Sequence, residues 1–129
     1  MELGTLQAQI RAARQISASA DGATFSLELP SDHAWTIAIE ANRDGEGRLL
    51  HSQATHAVLL AAIIGWDGLT AQHLLPEAPN DPLPFSAAAR RELLDARQDI
   101  ANELMAEIGA KLVERREKRD AARKNLLSA

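Results

Sequence analysis

The chain has no cysteine and no tyrosine, and its aromatic side chains number only two Trp and two Phe in 129 residues. Without thiols there is no disulfide, no thiolate metal site and no thiol nucleophile, a composition that fits a reducing compartment. With aromatics at 3%, the 46% hydrophobic content rests on Ala, Leu and Ile, the mixture of helices that pack through small side chains. No apolar run approaches the roughly 20 residues of a membrane span. The start MELGTLQAQ lacks the basic and apolar regions of a secretory signal. A soluble, cytoplasmic protein with no membrane partner is expected, and its length suits one domain with a modest core.

Charge is unevenly spread. Residues 114–124, ERREKRDAARK, hold six basic and three acidic residues, a net +3; because the whole chain is −4, the rest carries −7. An acidic body with one basic end argues against nucleic acid as the main partner, since phosphate neutralisation needs clustered Lys and Arg to dominate. The plainer reading is a solvated helix end, with cations near the negative pole of the helix dipole.

Periodicity supplies the elements. Leu3, Leu6, Ile10, Ala13 and Ile16 recur at spacings of three and four, which predicts a helix over 2–18 that Asp21-Gly22 ends. Residues 24–29 alternate polar and apolar up to Pro30, a short strand candidate. Ser31-Asp32 reads as a helix start, yet Trp35, Ile37 and Ile39 also alternate, leaving room for a hairpin near residues 24–40. A nearly all-apolar helix over 52–64 follows, with Gly65 at its C-cap position. Ser86 opens the last predicted helix, 86–120, with Leu93, Ile100, Leu104, Ile108 and Leu112 as its stripe. Beyond Val113 the stripe ends, so the final turns are expected to project, with fraying after Lys124. The expectation is a mainly α single domain over 1–129: an N-terminal helix 2–18, a body 24–113 and a basic end 114–129.

Catalytic and metal-binding patterns are not found. His33, His51, His56 and His73 include no pair at i,i+4 and no HExxH. The acidic pairs Asp95/Asp99 and Glu103/Glu107 have one-face spacing, but such pairs ordinarily solvate a helix unless a pocket shifts one pKa. Ser31-Asp32-His33 is a capping sequence, because a triad is assembled from residues distant in the chain. The glycines match neither a P-loop nor a dinucleotide fingerprint. No enzyme, no cofactor, no metal and no small-molecule substrate is expected.

That leaves Ile64-Gly65-Trp66-Asp67-Gly68 and the long crossing LTAQHLLPEAPNDPLPFS, which holds four of the five prolines. Trp66 suits a core cap where two helices diverge, a residue type of large apolar area in a chain with little other aromatic material. A crossing this long and this rich in Leu also suits a binding surface. Trp66, Leu69, Leu74, Leu75, Leu83 and Phe85 are the candidate partner-binding residues.

The order "IIGWDG … DPLPFS … RRELLDARQDIANELMAEI … RKN" resembles the tail assembly chaperones of long-tailed bacteriophages. The elements that carry the likeness are Ile64, Gly65, Trp66, Asp67 and Gly68; Pro84, Phe85 and Ser86; Leu93, Leu94 and Asp95; and Lys124 with Asn125. Upstream, LELPSDHAW (Leu27 to Trp35) is similar to a Pro-Ser/Thr-Asp helix opening in phage proteins of this kind, which favours a helix at 32–41 over the second hairpin strand. The likeness covers about residues 27–125. The crossing at 69–83 is longer and richer in Pro than the family pattern, and the helix 2–18 precedes the matching part.

The resemblance implies a small, mainly helical, non-catalytic protein of the host cytoplasm, absent from the finished virion. It implies binding to the tape measure protein during tail morphogenesis, with tail tube subunits as further clients. In that family a longer form is often made by programmed ribosomal frameshifting; the resemblance leaves such a form, and self-association, open for this chain. The rival classes are a nucleic-acid-associated regulatory protein using the basic helix 111–124, and a virion connector subunit.

Overall fold

Asp21 and Gly22 both have positive φ, 48° and 79°, the backbone that a two-residue type I′ hairpin turn demands and that Asp-Gly adopts readily. The chain reverses there. In a computed structural model that describes residues 1–128, strand β1 (Gln15–Ala20) pairs antiparallel with β2 (Ala23–Glu28) through this turn. On the inward face Ile16, Ala18 and Ala20 lie opposite Leu27, Phe25 and Ala23. Polar Gln15, Ser17 and Ser19 alternate outward, as a strand of period two requires. Helix α1 (Leu3–Ala13) therefore stops five residues short of its predicted end at 18. Ile16 continued the helical spacing, but it packs against the core, partly buried, from a strand.

Pro30 ends the hairpin, and the Ser31 hydroxyl accepts the Ala34 N–H at 3.1 Å to cap α2 (Asp32–Glu40). The alternation of Trp35, Ile37 and Ile39 is thus incidental, and the hairpin lies at 15–28 instead of 24–40. Helix α3 (His51–Ala62) passes straight into β3 (Ile63–Asp67), which pairs antiparallel with β2 to give the order β1-β2-β3. Gly65, expected as a helix cap, lies within that strand opposite Ser26. A register irregularity between Ser26 and Leu27 lets Leu27 face Ile63.

The last predicted helix is two. Helix α4 (Ala87–Ala96) starts on Ser86, whose hydroxyl accepts the Ala89 N–H at 3.0 Å. It ends at Arg97, where φ −129° and ψ 75° leave the helical region. Helix α5 (Gln98–Ser128) follows and stays helical through Ser128, past the fraying expected after Lys124.

One core joins these parts: Phe25 and Leu27 from the sheet and Leu29 just after it, Val58, Leu59 and Ile63 around the α3–β3 junction, Leu93 and Leu94 from α4, and Ile100, Leu104 and Ile108 from α5. The stripe on α5 is buried up to Ile108, and Leu112 packs against the rim. From Val113 onward every described residue of α5 is exposed. The protein is mainly α, with a small antiparallel sheet set against α3 and α5. Among the described residues no helix is long and apolar enough to cross a membrane.

Candidate functional site

Trp66 stands on β3 opposite Phe25, whose ring it meets edge-on at 6.2 Å between centroids and 72°. On its other side Phe85 meets it at 4.8 Å and 84°. Such edge-to-face pairs add to the area each ring buries. The Trp66 indole N–H donates to the Leu83 carbonyl at 2.8 Å, so the ring is held by a polar as well as an apolar contact. Arg90 places its guanidinium 5.8 Å above Phe85 and donates to the Ile63 carbonyl at 2.9 Å.

The crossing that follows is folded back on itself. The Leu83 N–H donates to the Leu69 carbonyl at 2.8 Å and the Ala71 N–H to the Asp81 carbonyl at 2.9 Å, which closes residues 69–83 into a loop with touching ends. A 3-10 turn (Ala71–His73) begins inside it. His73 accepts the Thr70 N–H on Nδ1 at 3.0 Å, so its Nε2 carries the proton it donates to the Asp21 carbonyl at 2.9 Å. The loop is thereby tied to the hairpin turn. Gly68, at φ 79°, runs so close to that turn that a Cβ would lie 3.4 Å from the Gly22 carbonyl oxygen.

Arg97 completes the same corner. Its guanidinium donates to Asp21 and to Asp99 at 2.8 Å each, and to the His73 carbonyl at 3.0 Å. Hydrogen bonding to Asp99 and Asp21 raises the Arg97 pKa above its already high ordinary value. The same contact holds the Asp99 carboxylate down at about 2. The tertiary anchoring of this one side chain sits where α4 and α5 part.

The six candidate partner-binding residues separate accordingly. Leu69 is 2% exposed and belongs to the core, so its assignment to a binding surface is corrected. Trp66, Leu74 and Leu83 are half-buried against the core. Leu75, at 56% exposure, and Phe85, at 36%, are the two that reach solvent. Leu69, Leu74 and Leu83 of this loop pack on the core, Leu75 does not, and His73 ties the loop to the hairpin turn.

Exposed apolar surface lies elsewhere. Leu3, Leu6 and Ile10 are 69%, 42% and 43% exposed along one face of α1, which buries none of its residues. Between α1, the start of α2 and the outer part of α5 runs a cleft of about 430 Å³. Ile10, Trp35 and Leu112 form its apolar wall, and Arg14, Arg115, Arg116 and Arg119 stand around it. Sequence periodicity showed the stripe and the basic run separately. It did not show that they converge, because the convergence depends on how far α1 extends before the chain turns into β1.

Among the described residues no group of His, Asp and Glu is arranged to hold a metal ion. His56 instead meets Asp95 at 3.0 Å between α3 and α4, and His51 opens α3. Comparison with protein-family models, with curated proteins and with solved structures gave no match to the chain.

Proposed function

We propose that this protein is a non-catalytic assembly chaperone of phage tails, acting in the host cytoplasm on the tape measure protein, with tail tube subunits as further clients. The observation that carries the proposal is the apolar face of α1, where Leu3, Leu6 and Ile10 face water on a helix that contributes nothing to the core. A stripe of this spacing suits a helix-in-groove contact with an apolar helical client. The sequence likeness supports the same reading. Its elements meet in space: Trp66 packs on Phe85 at 4.8 Å, and Ser86 caps the helix that carries Leu93, Leu94 and Asp95. The acidic body keeps such a surface soluble.

The test is co-expression with the tape measure protein that the proposal expects to be encoded nearby, followed by purification of the complex. Co-purification by the unaltered chain, and its loss in Leu3→Asp/Leu6→Asp with an unchanged melting temperature, is the expected pair of results. A folded, soluble wild-type chain that retains none of the tape measure protein refutes the proposal.

A further inference from the structure

The cleft between α1 and α5 is chemically unlike the rest of the molecule. Four arginines stand around it and one acid, Asp32, so it carries a formal +3 on a protein of net −4. Arg119 pairs with Asp32 at 2.8 Å. Among the described residues Arg14, Arg115 and Arg116 form no ion pair. Arg14 is the most committed of the three: its Nε is shut off from solvent and has no hydrogen-bond partner. An acceptor entering the cleft would meet the terminal nitrogens of this guanidinium, not its enclosed Nε.

The three outer arginines are placed by simple helix geometry. Leu112, Arg115, Arg116 and Arg119 follow i, i+3, i+4, i+7 and so share one face of α5. That face turns toward the first turn of α2, the positive end of its dipole. Opposite, Ile10 lies on the last turn of α1 with Arg14 at its C-cap, and Leu6 and Leu3 continue the line away from the cleft. One wall therefore runs from exposed leucine to arginine, and the other from Leu112 to three arginines.

We infer that this cleft is a docking site for an acidic amphipathic polypeptide segment, whose apolar side chains lie along Leu3, Leu6, Ile10 and Leu112 while its carboxylates meet Arg14, Arg115 and Arg116. Charge complementarity selects an acidic partner, and the apolar wall selects a polypeptide over a phosphate group. Nucleic acid finds little here to stack on. The aromatic rings in the cleft are Trp35, which packs partly against the core, and His33, too few for the successive stacking platforms by which single strands bind. The inference goes beyond the chaperone reading by assigning the partner's chemistry and the residues that meet it, and it stands on the cleft alone.

The experiment uses the full chain and a fluorescein-labelled helical peptide of roughly 18 residues, leucines on one face and glutamates on its flanks, followed by fluorescence anisotropy. A second peptide has Gln for every Glu, and an oligothymidylate of the same charge is the third probe. The acidic peptide is expected to bind, with affinity falling as salt rises. Replacing Glu by Gln, or introducing Arg115→Glu/Arg116→Glu, is expected to weaken it about tenfold or more. Both arginines are exposed on a part of α5 outside the core, so the variant keeps its fold; Arg115→Lys/Arg116→Lys is expected to recover most of the binding. Equal binding of the Gln peptide, or no binding of the acidic one, overturns the inference. So does tighter binding of the oligothymidylate, which would give the cleft to phosphates. If the Glu variant instead dissolves a dimer in sedimentation without peptide, the occupant is a second copy and the inference again fails. Each result leaves co-purification with the tape measure protein as a separate measurement.

Discussion

The loop 69–83 carries four leucines and helix α1 carries Leu3, Leu6 and Ile10, and the fold uses the two sets in opposite ways. Leu69, Leu74 and Leu83 turn inward beneath Trp66, and the backbone of their loop is closed by its own hydrogen bonds. Leu3, Leu6 and Ile10 sit on a regular helix and remain 42–69% exposed. Irregular backbone is thus the buried cover here, and regular helix is the open surface. The difference lies in what stands opposite each segment. The loop has the core beneath it and is tied to the hairpin turn and Arg97, while α1 leads into an edge strand and faces a cleft lined with arginine.

The contrast breaks most readily at the loop. Leu69→Ala should cost about 2–5 kcal/mol and Trp66→Ala about 3 kcal/mol, since each empties space that no neighbour can refill. For a chain of this size that is a fall of roughly 10 °C in melting temperature, readable by circular dichroism. A Leu69→Ala protein as stable as wild type would show that the loop only rests on the core.

Gly68→Ala tests the junction between loop and hairpin. Alanine at φ 79° is strained by its backbone, while its Cβ would make only van der Waals contact with the Gly22 carbonyl oxygen at 3.4 Å. A loss of about 1–2 kcal/mol is expected in urea unfolding. No loss would mean that the corner adjusts freely.

A smaller effect is expected from acid titration. The folded Asp99 pKa, about 2, lies below its ordinary value of 3.8 because Arg97 bonds the charged form. Its stabilisation is therefore complete above about pH 4 and is lost as pH falls through about 2. Arg97→Gln should remove this acid-dependent part, so the melting temperatures of variant and wild type converge as pH falls from about 4 to 2. Parallel curves would place the anchoring elsewhere. Exposure of the pair keeps the effect modest.

The smallest change is expected on α1. Leu6→Ser should alter stability by less than about 0.5 kcal/mol, because the side chain supports nothing inside. A loss comparable to that of Leu69→Ala would mean that α1 is held against the body and is not a free surface.

Local sequence determined much of the helical architecture. Ser31 and Ser86 sit at the caps of α2 and α4, and the spacing of Ile100, Leu104 and Ile108 announced the buried face of α5. The loss of apolar residues after Val113 likewise marked where α5 leaves the core. The hairpin was also legible, in Asp21-Gly22 flanked by alternating QISASA and ATFSLE. It was obscured because Ile16 extends the helical spacing of α1 as well as the alternation of β1. Two periods agreed on one residue, and only a pairing partner could decide between them.

What the tertiary structure alone decided has the same cause throughout. Ile63–Asp67 became a strand because β2 offered a free edge, overriding the helix that Ile63 and Ile64 would otherwise extend. The break at Arg97 has no glycine or proline behind it; it is fixed by contacts to Asp21, His73 and Asp99, two of which are more than twenty residues away. The exposure of Leu6 and the burial of Leu69 could not be told apart by residue type. Hydrophobicity states that a side chain gains by leaving water, but only the assembled neighbours determine whether there is a place for it to go.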